Sequence, residues 1–266
     1  MKIILLTRNS EFQIFCANYL WKSGLLTAVI VEGGYSYPRN LNWLRLTNMW
    51  NILKKAIFSK PSNFIENIYL YFNKPKYFGD QSFHNRRVLR DDYSKFLNEI
   101  PIKRVSSINS DETKFMIQEL IPSVVLVFGT SIIKSSIFES VKAEFINMHW
   151  GWSPDFRGEG IISALAKSGI DALGVTIHSI NSKIDGGNIY FQARPKVDMN
   201  DNFYSIGLKL TLLGTELFIK SIKSFDKGEL KGIAQDLSKG NLYSSKTIIS
   251  NPQMYRIAWC NLKTVK

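Results

Sequence analysis

The chain opens on a short apolar run, Ile3 to Leu6, stopped by Thr7 and Arg8. A run of that length with a polar stop has the form of a strand buried on both faces. The next segment, EFQIFCANYLWKSG, sets Phe12, Phe15, Cys16, Tyr19 and Leu20 at helical spacing, with Gly24 as its stop. A second apolar run, TAVIVEGG, follows. Strand, helix and strand in that order predict an open parallel sheet covered by helices. The alternation returns further on: DETKFMIQEL reads as helix, PSVVLVFG as a doubly buried strand, SSIFESV as a short helix and EFINM as a strand. EGIISALAKSG reads as a helix closed by Gly169, and GVTIHSI and NIYFQAR as strands. NFYSIGLKLTLLGTELFIKSIKSF has the pattern of one long amphipathic helix; the residues after it carry only weak periodicity. The predicted class is α/β, a Rossmann-like, mostly parallel sheet with helices on both faces.

One stretch breaks this rhythm. Residues 35–94 are aromatic and basic, with ten Lys and Arg against four Asp and Glu. That is about half of the chain's excess charge. Within it Leu46, Met49, Trp50, Leu53 and Ile57 share one helical face, with Lys54 and Lys55 on another. The segment reads as an insertion or lid of two helices. Its apolar face suits packing on the sheet; the same pattern also suits peripheral contact with a membrane surface. The expected organisation is a catalytic unit over residues 1–194 carrying this insertion, and a short, helical C-terminal extension over 195–266.

Composition narrows the setting. With 45% hydrophobic residues the chain can bury a full core and is not of disordered type. The formal charge of +12 favours anionic partners such as nucleotides, phosphates, nucleic acid or an acidic membrane. Two cysteines far apart, Cys16 and Cys260, argue against a disulfide framework and a zinc site and fit the cytoplasm. Four apolar residues at the start are too few for a secretory leader.

The candidate chemistry lies at predicted strand ends. Asn147 and His149 close EFINMH, two apart and therefore on one side of a strand. His178 lies in GVTIHSI, and Asp185 in KIDGG before the next strand. In a parallel sheet the carboxyl ends of strands open on a common crevice where ligands bind, and the Asp185 loop meets Asn147 and His149 if its strand is adjacent. An Asn amide can stabilise an oxyanion, a His can move a proton near neutrality, and an Asp can orient that His. Taken alone, the same residues also suit a structural histidine and an ordinary turn.

The spacing adds to this. Residues 144–197 resemble the N10-formyltetrahydrofolate-dependent formyltransferase family, whose core runs Asn-x-His, a Pro and a Gly in the following turn, Gly-Val-Thr-x-His, then Asp-x-Gly-x-Ile with a Gln after it. Here these read NMHWGWSPDFRG, GVTIHSI and IDGGNIYFQARP. The segment SVVLVFGTSIIKSSIF resembles the family's cofactor-side strand and loop. The resemblance implies Asn147, His149 and Asp185 as catalytic residues and N10-formyltetrahydrofolate as co-substrate. It places the pterin against Thr130, Ser131, Ile132 and Ile133 and against Lys183 and Ile184. His178 suits a place near the site or a role in ordering the Asp185 loop.

Family members differ in the amine they formylate. Glycinamide ribonucleotide calls for a glycine-rich phosphate loop after the first strand; TRNSEFQ holds no glycine. Methionyl-tRNA calls for a further β domain, whereas about seventy residues follow Pro195 and the first of them read as helix. A nucleotide-linked amino sugar, formylated for a surface polysaccharide such as O-antigen or capsule, fits best, and IAQDLSKGNLYSSK is similar to the short Gln…Tyr endings of such enzymes. Trp150, Trp152, Phe156 and Arg157, beside His149, suit a base, a deoxysugar and a diphosphate, although packing of the turn explains the tryptophans equally well. The expected partner is thus a nucleotide sugar rather than a nucleic acid, with a homodimer as the family's frequent assembly. A non-catalytic protein that binds folate or nucleotide is the alternative of a different class.

Overall fold

A computed structural model describes residues 1–33, 77, 94–244, 248, 251 and 253–264. The insertion expected over 35–94, with its helices and its membrane reading, lies outside the described residues apart from Tyr77 and Ser94.

The first strand, β1 (Ile3–Arg8), shows why a continuous apolar run was required. Side chains alternate across the sheet, so Ile3 and Leu5 enter one hydrophobic core and Ile4 and Leu6 another on the opposite face. The same division runs through β2 (Ala28–Glu32) and β4 (Val124–Phe128). With β3 (Ile102–Val105), β5 (Glu144–His149), β7 (Val175–Ser179) and β8 (Ile189–Ala193) they form a seven-stranded sheet in the order β3-β2-β1-β4-β5-β7-β8. Strands β3 through β5 pair in parallel; β7 runs antiparallel to β5, and β8 antiparallel to β7.

Helices cover both faces. One face carries α1 (Glu11–Lys22), α4 (Ile161–Ser168) and the 24-residue α5 (Phe203–Asp226). The other carries α2 (Asp111–Leu120) and the single turn α3 (Ser135–Phe138). Asn202 caps α5 by accepting from the Ser205 N–H, and the Ser205 hydroxyl accepts in return from the Asn202 N–H, a reciprocal capping box. Packing of α5 against α1 and the sheet puts Phe218, Leu210 and Ile222 in the same core as Leu5 and Val29, so this helix closes the central layer. Weak periodicity after α5 conceals two more elements. A three-residue strand β9 (Asn241–Tyr243) pairs in parallel with β6 (Phe156–Gly158), and α6 (Gln253–Leu262) packs on α4. Three-residue strands are too short to show a period, and their pairing across more than eighty residues leaves no local trace. Tyr77 is fully buried between Phe203 and Trp259, at 5.7 and 5.2 Å between ring centres. No helix among the described residues is long and apolar enough to cross a membrane.

Because Phe218 is fully buried in the core shared by helix and sheet, Phe218→Ala is expected to destabilise the protein by about 3–5 kcal/mol. Urea unfolding followed by far-ultraviolet circular dichroism and by tryptophan fluorescence should show the two signals shifting together.

Candidate active site

Alternation along β5 sends Ile146 and Met148 into the α5-side core, so Asn147 and His149 project to the other face. The antiparallel β7 then sets His178 directly opposite Asn147, and Thr176 opposite His149. A uniformly parallel sheet would have separated them. The loop after β7 returns Asp185 to this face with φ +47, a left-handed conformation that Asp tolerates better than most residues.

Four side chains meet there. The Asn147 amide donates from Nδ2 to His178 Nε2 (3.0 Å) and to Asp185 Oδ1 (3.3 Å). His178 Nδ1 lies 2.7 Å from the Ser179 carbonyl, which can only accept, so Nδ1 carries a proton, and Nε2 faces both the Asn147 amide and Asp185 Oδ1 at 3.5 Å. His149 Nδ1 lies 3.4 Å from Asp185 Oδ2, and its Nε2 lies 2.7 Å from the Phe156 carbonyl. Both nitrogens of His149 therefore face acceptors. Asp185 Oδ2 also accepts the Gly158 N–H at 2.8 Å. Burial pushes the Asp185 carboxyl up, but the charge of His149, the hydrogen bond and charge of His178 and the Gly158 N–H together hold it well below the usual carboxylate range. The group is an anion throughout the neutral range.

The turn from Trp150 to Gly158 is built to permit this. The Thr176 hydroxyl donates to the Gly151 carbonyl (2.6 Å) and accepts from the Ser153 N–H (3.1 Å) and Gln192 (3.0 Å). A Cβ on Gly151 would stand 2.2 Å from His149 Nε2 and 2.3 Å from the Phe156 carbonyl, so only glycine lets the ring reach that acceptor. Trp150 points to the opposite face from His149 and meets Phe12 edge-on at 5.0 Å and Phe128 at 5.6 Å. The Trp152 ring lies 3.8 Å beneath the Arg194 guanidinium, and the Phe156 ring is buried and stacks on Tyr243 at 5.7 Å. All three aromatic rings thus have protein partners. Arg157 is half-buried, and its Nε, like Trp150 Nε1 and Ser153 Oγ in the same turn, is enclosed without a hydrogen-bond partner among the described residues.

The cofactor-side residues expected from the sequence follow β4. Their loop is anchored from behind by Glu32, which the sequence reading passed over although a carboxylate at the end of a buried strand was a visible signal. Glu32 accepts from Ser131 N–H (2.8 Å) and hydroxyl (2.5 Å), from the Ile108 N–H (3.0 Å) and from Arg8 (2.9 Å). Burial pushes its carboxyl up, but these donors outweigh burial and leave it lowered. Asn109 donates to the Ile132 carbonyl and accepts from the Lys134 N–H. Ile133 is buried, while Ile132 is 66% exposed and Ile184, on the Asp185 loop, 36% exposed. Thr130 donates only to the neighbouring Ser131 carbonyl. The Lys183 N–H donates to Asn181 Oδ1, and the Lys183 side chain is exposed. Gln235, the Gln of the Gln…Tyr ending IAQDLSKGNLYSSK, reaches the Asp185 loop from far along the chain, a contact that the resemblance did not foretell.

Comparison with known proteins agrees with this architecture. A family model described as formyl transferase matches residues 48–222. Methionyl-tRNA formyltransferases of Kosmotoga olearia and Coprothermobacter proteolyticus are 30% and 32% identical over 141 and 138 residues. Those stretches are 53% and 52% of this chain and 45% of each relative, so the match spans less than half the length of these proteins. Among solved structures, a sugar N-formyltransferase from Shewanella sp. superposes with a TM-score of 0.58 at 14% identity, covering 98% of this chain and 88% of that one. A 4-N formyltransferase from Francisella tularensis gives 0.54 at 16%, over 98% and 87%. Phosphoribosylglycinamide formyltransferase from Anaplasma phagocytophilum gives 0.56 at 14%, over 92% and 99%. At these identities the structural likeness establishes the fold. With its matched region extending over more than half of its length, the chain belongs to the formyl transferase family.

Proposed function

We propose that the protein transfers a formyl group from N10-formyltetrahydrofolate to the amino group of a nucleotide-linked amino sugar, with Asn147, His149 and Asp185 as its catalytic residues. The observation that carries the reading is the cluster itself: an ionised carboxylate held between two histidines and an asparagine at one strand end.

The residues present fit the co-substrate. A flat heteroaromatic ring asks for apolar surface and for backbone donors and acceptors held in fixed places. Ile132 and Ile184 offer exposed apolar side chains, on loops whose backbones are pinned by Glu32, Asn109 and Asn181. When bound, the folate supplies an activated formyl carbon. Asn147 releases the longer of its two hydrogen bonds, the 3.3 Å one to Asp185, and donates to the formyl oxygen as charge gathers there. His149 takes the proton that the attacking amine loses, directly or through water. Asp185, ionised and fixed by the Gly158 N–H, holds the resulting imidazolium and relays a proton by water toward the departing nitrogen.

The sugar acceptor is argued from this chain's own surfaces. The turn after β1 holds no glycine, and its Ser10 hydroxyl donates to Gln13 rather than standing free for a phosphate. Arg157 is a half-buried guanidinium without a partner among the described residues, beside the residue that binds Asp185. An anion such as a diphosphate satisfies it. The overall likeness to solved sugar N-formyltransferases along nearly the whole chain accords with this. Methionyl-tRNA is the second reading, favoured by the methionyl-tRNA formyltransferases among the sequence relatives and by the net charge of +12.

Release of tetrahydrofolate is the direct test, with dTDP- and UDP-linked 4-amino and 3-amino sugars, glycinamide ribonucleotide and methionyl-tRNA offered as acceptors. Turnover with a nucleotide sugar is expected, and turnover with tRNA alone overturns the sugar reading. Binding of nucleotide without turnover of any acceptor favours a non-catalytic protein. His149→Ala and Asp185→Ala should each retain the native dichroism spectrum and lose about 10²–10⁴-fold in kcat. Arg157→Ala should raise the acceptor KM by roughly tenfold to a hundredfold, the loss of one charged hydrogen-bonding group, with the folate KM unchanged.

The lowered carboxyl of Asp185 also predicts acid sensitivity. Its folded pKa lies below the ordinary value of about 3.9, so its contribution to stability is complete above that value and is lost as pH falls toward the folded one. Urea unfolding over a pH series should show wild type exceeding Asp185→Asn at neutrality, with the gap shrinking below about pH 4.

A further inference from the structure

Asp185 stands in a left-handed conformation within a loop whose carbonyls need donors. Asn181 Nδ2 serves the Gly186 carbonyl at 3.1 Å. The Asp185 and Gly187 carbonyls are both served by one group, Gln235 Nε2, at 3.0 and 2.5 Å. Gln235 comes from the segment after α5, fifty residues away from Asp185 along the chain. That segment is itself fixed at both ends. Ile233 exchanges both backbone hydrogen bonds with Ile189 at 2.8 Å, and β9 pairs with β6, whose Gly158 N–H binds the Asp185 carboxylate. Leu237 lies against Gly186, where a Cβ would approach its Cδ1 to 3.1 Å.

We propose that Gln235 is a positioning residue for formyl transfer, which fixes the Asp185 backbone so that the carboxylate spans His149 and His178. The inference rests on the function proposed above and adds to it that residues 233–243 complete the catalytic centre from outside the motif-bearing core. The physical ground is geometric. The two Asp185 oxygens lie at 3.3–3.5 Å from Asn147, His178 and His149, so rotation of one peptide unit moves them out of reach of these partners. One amide bridging the carbonyls at 185 and 187 blocks that rotation. The opposite polarity would do the reverse: an ionised carboxylate at 235 would repel both carbonyls.

The test uses the full chain with Gln235→Ala and Gln235→Glu. In Gln235→Ala, kcat should fall about tenfold to a hundredfold, as expected for an ångström-scale misplacement of a catalytic group. KM for folate and acceptor should stay within about twofold, since no group that touches either is removed. Gln235→Glu should be impaired at neutral pH and recover relative to wild type as pH falls, because a protonated carboxyl again donates to a carbonyl oxygen. The charged groups beside it are Asp185 with its two histidines, and Asp236, which pairs with Lys239 at 3.3 Å. A readout independent of turnover is the carbon-13 titration of the Asp185 carboxyl. Its midpoint should move up toward the ordinary aspartate value in Gln235→Ala. Wild-type kcat and an unmoved Asp185 midpoint in Gln235→Ala overturn the proposal, as does a Gln235→Glu variant whose relative activity stays flat in acid. Should the wild-type chain turn over no acceptor, the formyl-transfer reading falls, and the Asp185 titration still decides whether Gln235 positions it.

Discussion

A carboxylate removed from water must recover several kcal/mol of lost hydration from its surroundings, and the half of the molecule beyond β4 is arranged around doing so for Asp185. Oδ1 meets Asn147 and His178; Oδ2 meets His149 and the Gly158 N–H. Each of those partners is fixed in turn. His178 is tied to the Ser179 carbonyl, His149 to the Phe156 carbonyl, and Gly158 lies in the β6–β9 ladder. The constraint reaches into the glycines: Gly151 yields space to the His149 ring, and Gly158, at φ +80, would place a Cβ 2.1 Å from the Tyr243 carbonyl. Charge, ring orientation and backbone conformation are therefore one arrangement, in which a change to any member is felt by the others.

Strand direction is what brings these groups together. Had β7 continued the parallel order of β1 to β5, the residue opposite Asn147 would have been set by a crossover connection, and the following loop would have emerged at the other end of β5. The reversal pairs Asn147 with His178 and lets the next loop fold back over both. Alternation along the strands then separates the chemistry from the core. Asn147, His149 and His178 lie on one face, and Met148 and Ile177 fill the other beneath α5.

Much of this was legible in the residues, and the boundary of legibility has a physical cause. Runs such as Ile3–Leu6 and Val124–Phe128 must be apolar on both faces, and an amphipathic helix as long as α5 carries its period over many turns, so sheet and helices could be read directly. The Asn147–His149 pair was readable because a strand's period of two is rigid. The direction of β7 was not, because the identity of a strand does not depend on which way its neighbour runs. The anchoring by Glu32, and the contact of Gln235 with the Asp185 loop, were hidden for a related reason: each acts on backbone groups far along the chain, and backbone carries no sequence signal. The turn after His149 left two readings open in the sequence. Adjacency to His149 suited Trp150, Trp152, Phe156 and Arg157 to a substrate and suited the tryptophans equally to packing of the turn; the rings of Trp150, Trp152 and Phe156 have protein partners.

That leaves the turn after His149 with two distinct tasks. Its aromatic residues fasten it: Trp150 to Phe12 and Phe128, Trp152 under Arg194, and Phe156 on Tyr243. Its backbone holds the cluster, through the Phe156 carbonyl on His149 and the Gly158 N–H on Asp185. A backbone group can serve as a fixed acceptor or donor only if its peptide plane cannot rotate, and side-chain packing on both sides of that plane prevents rotation. The tryptophans that stand out beside His149 thus contribute to the cluster by immobilising the peptide units that hold it. Arg157, placed between those two peptide groups, is half-buried, and its Nε lacks a hydrogen-bond partner among the described residues.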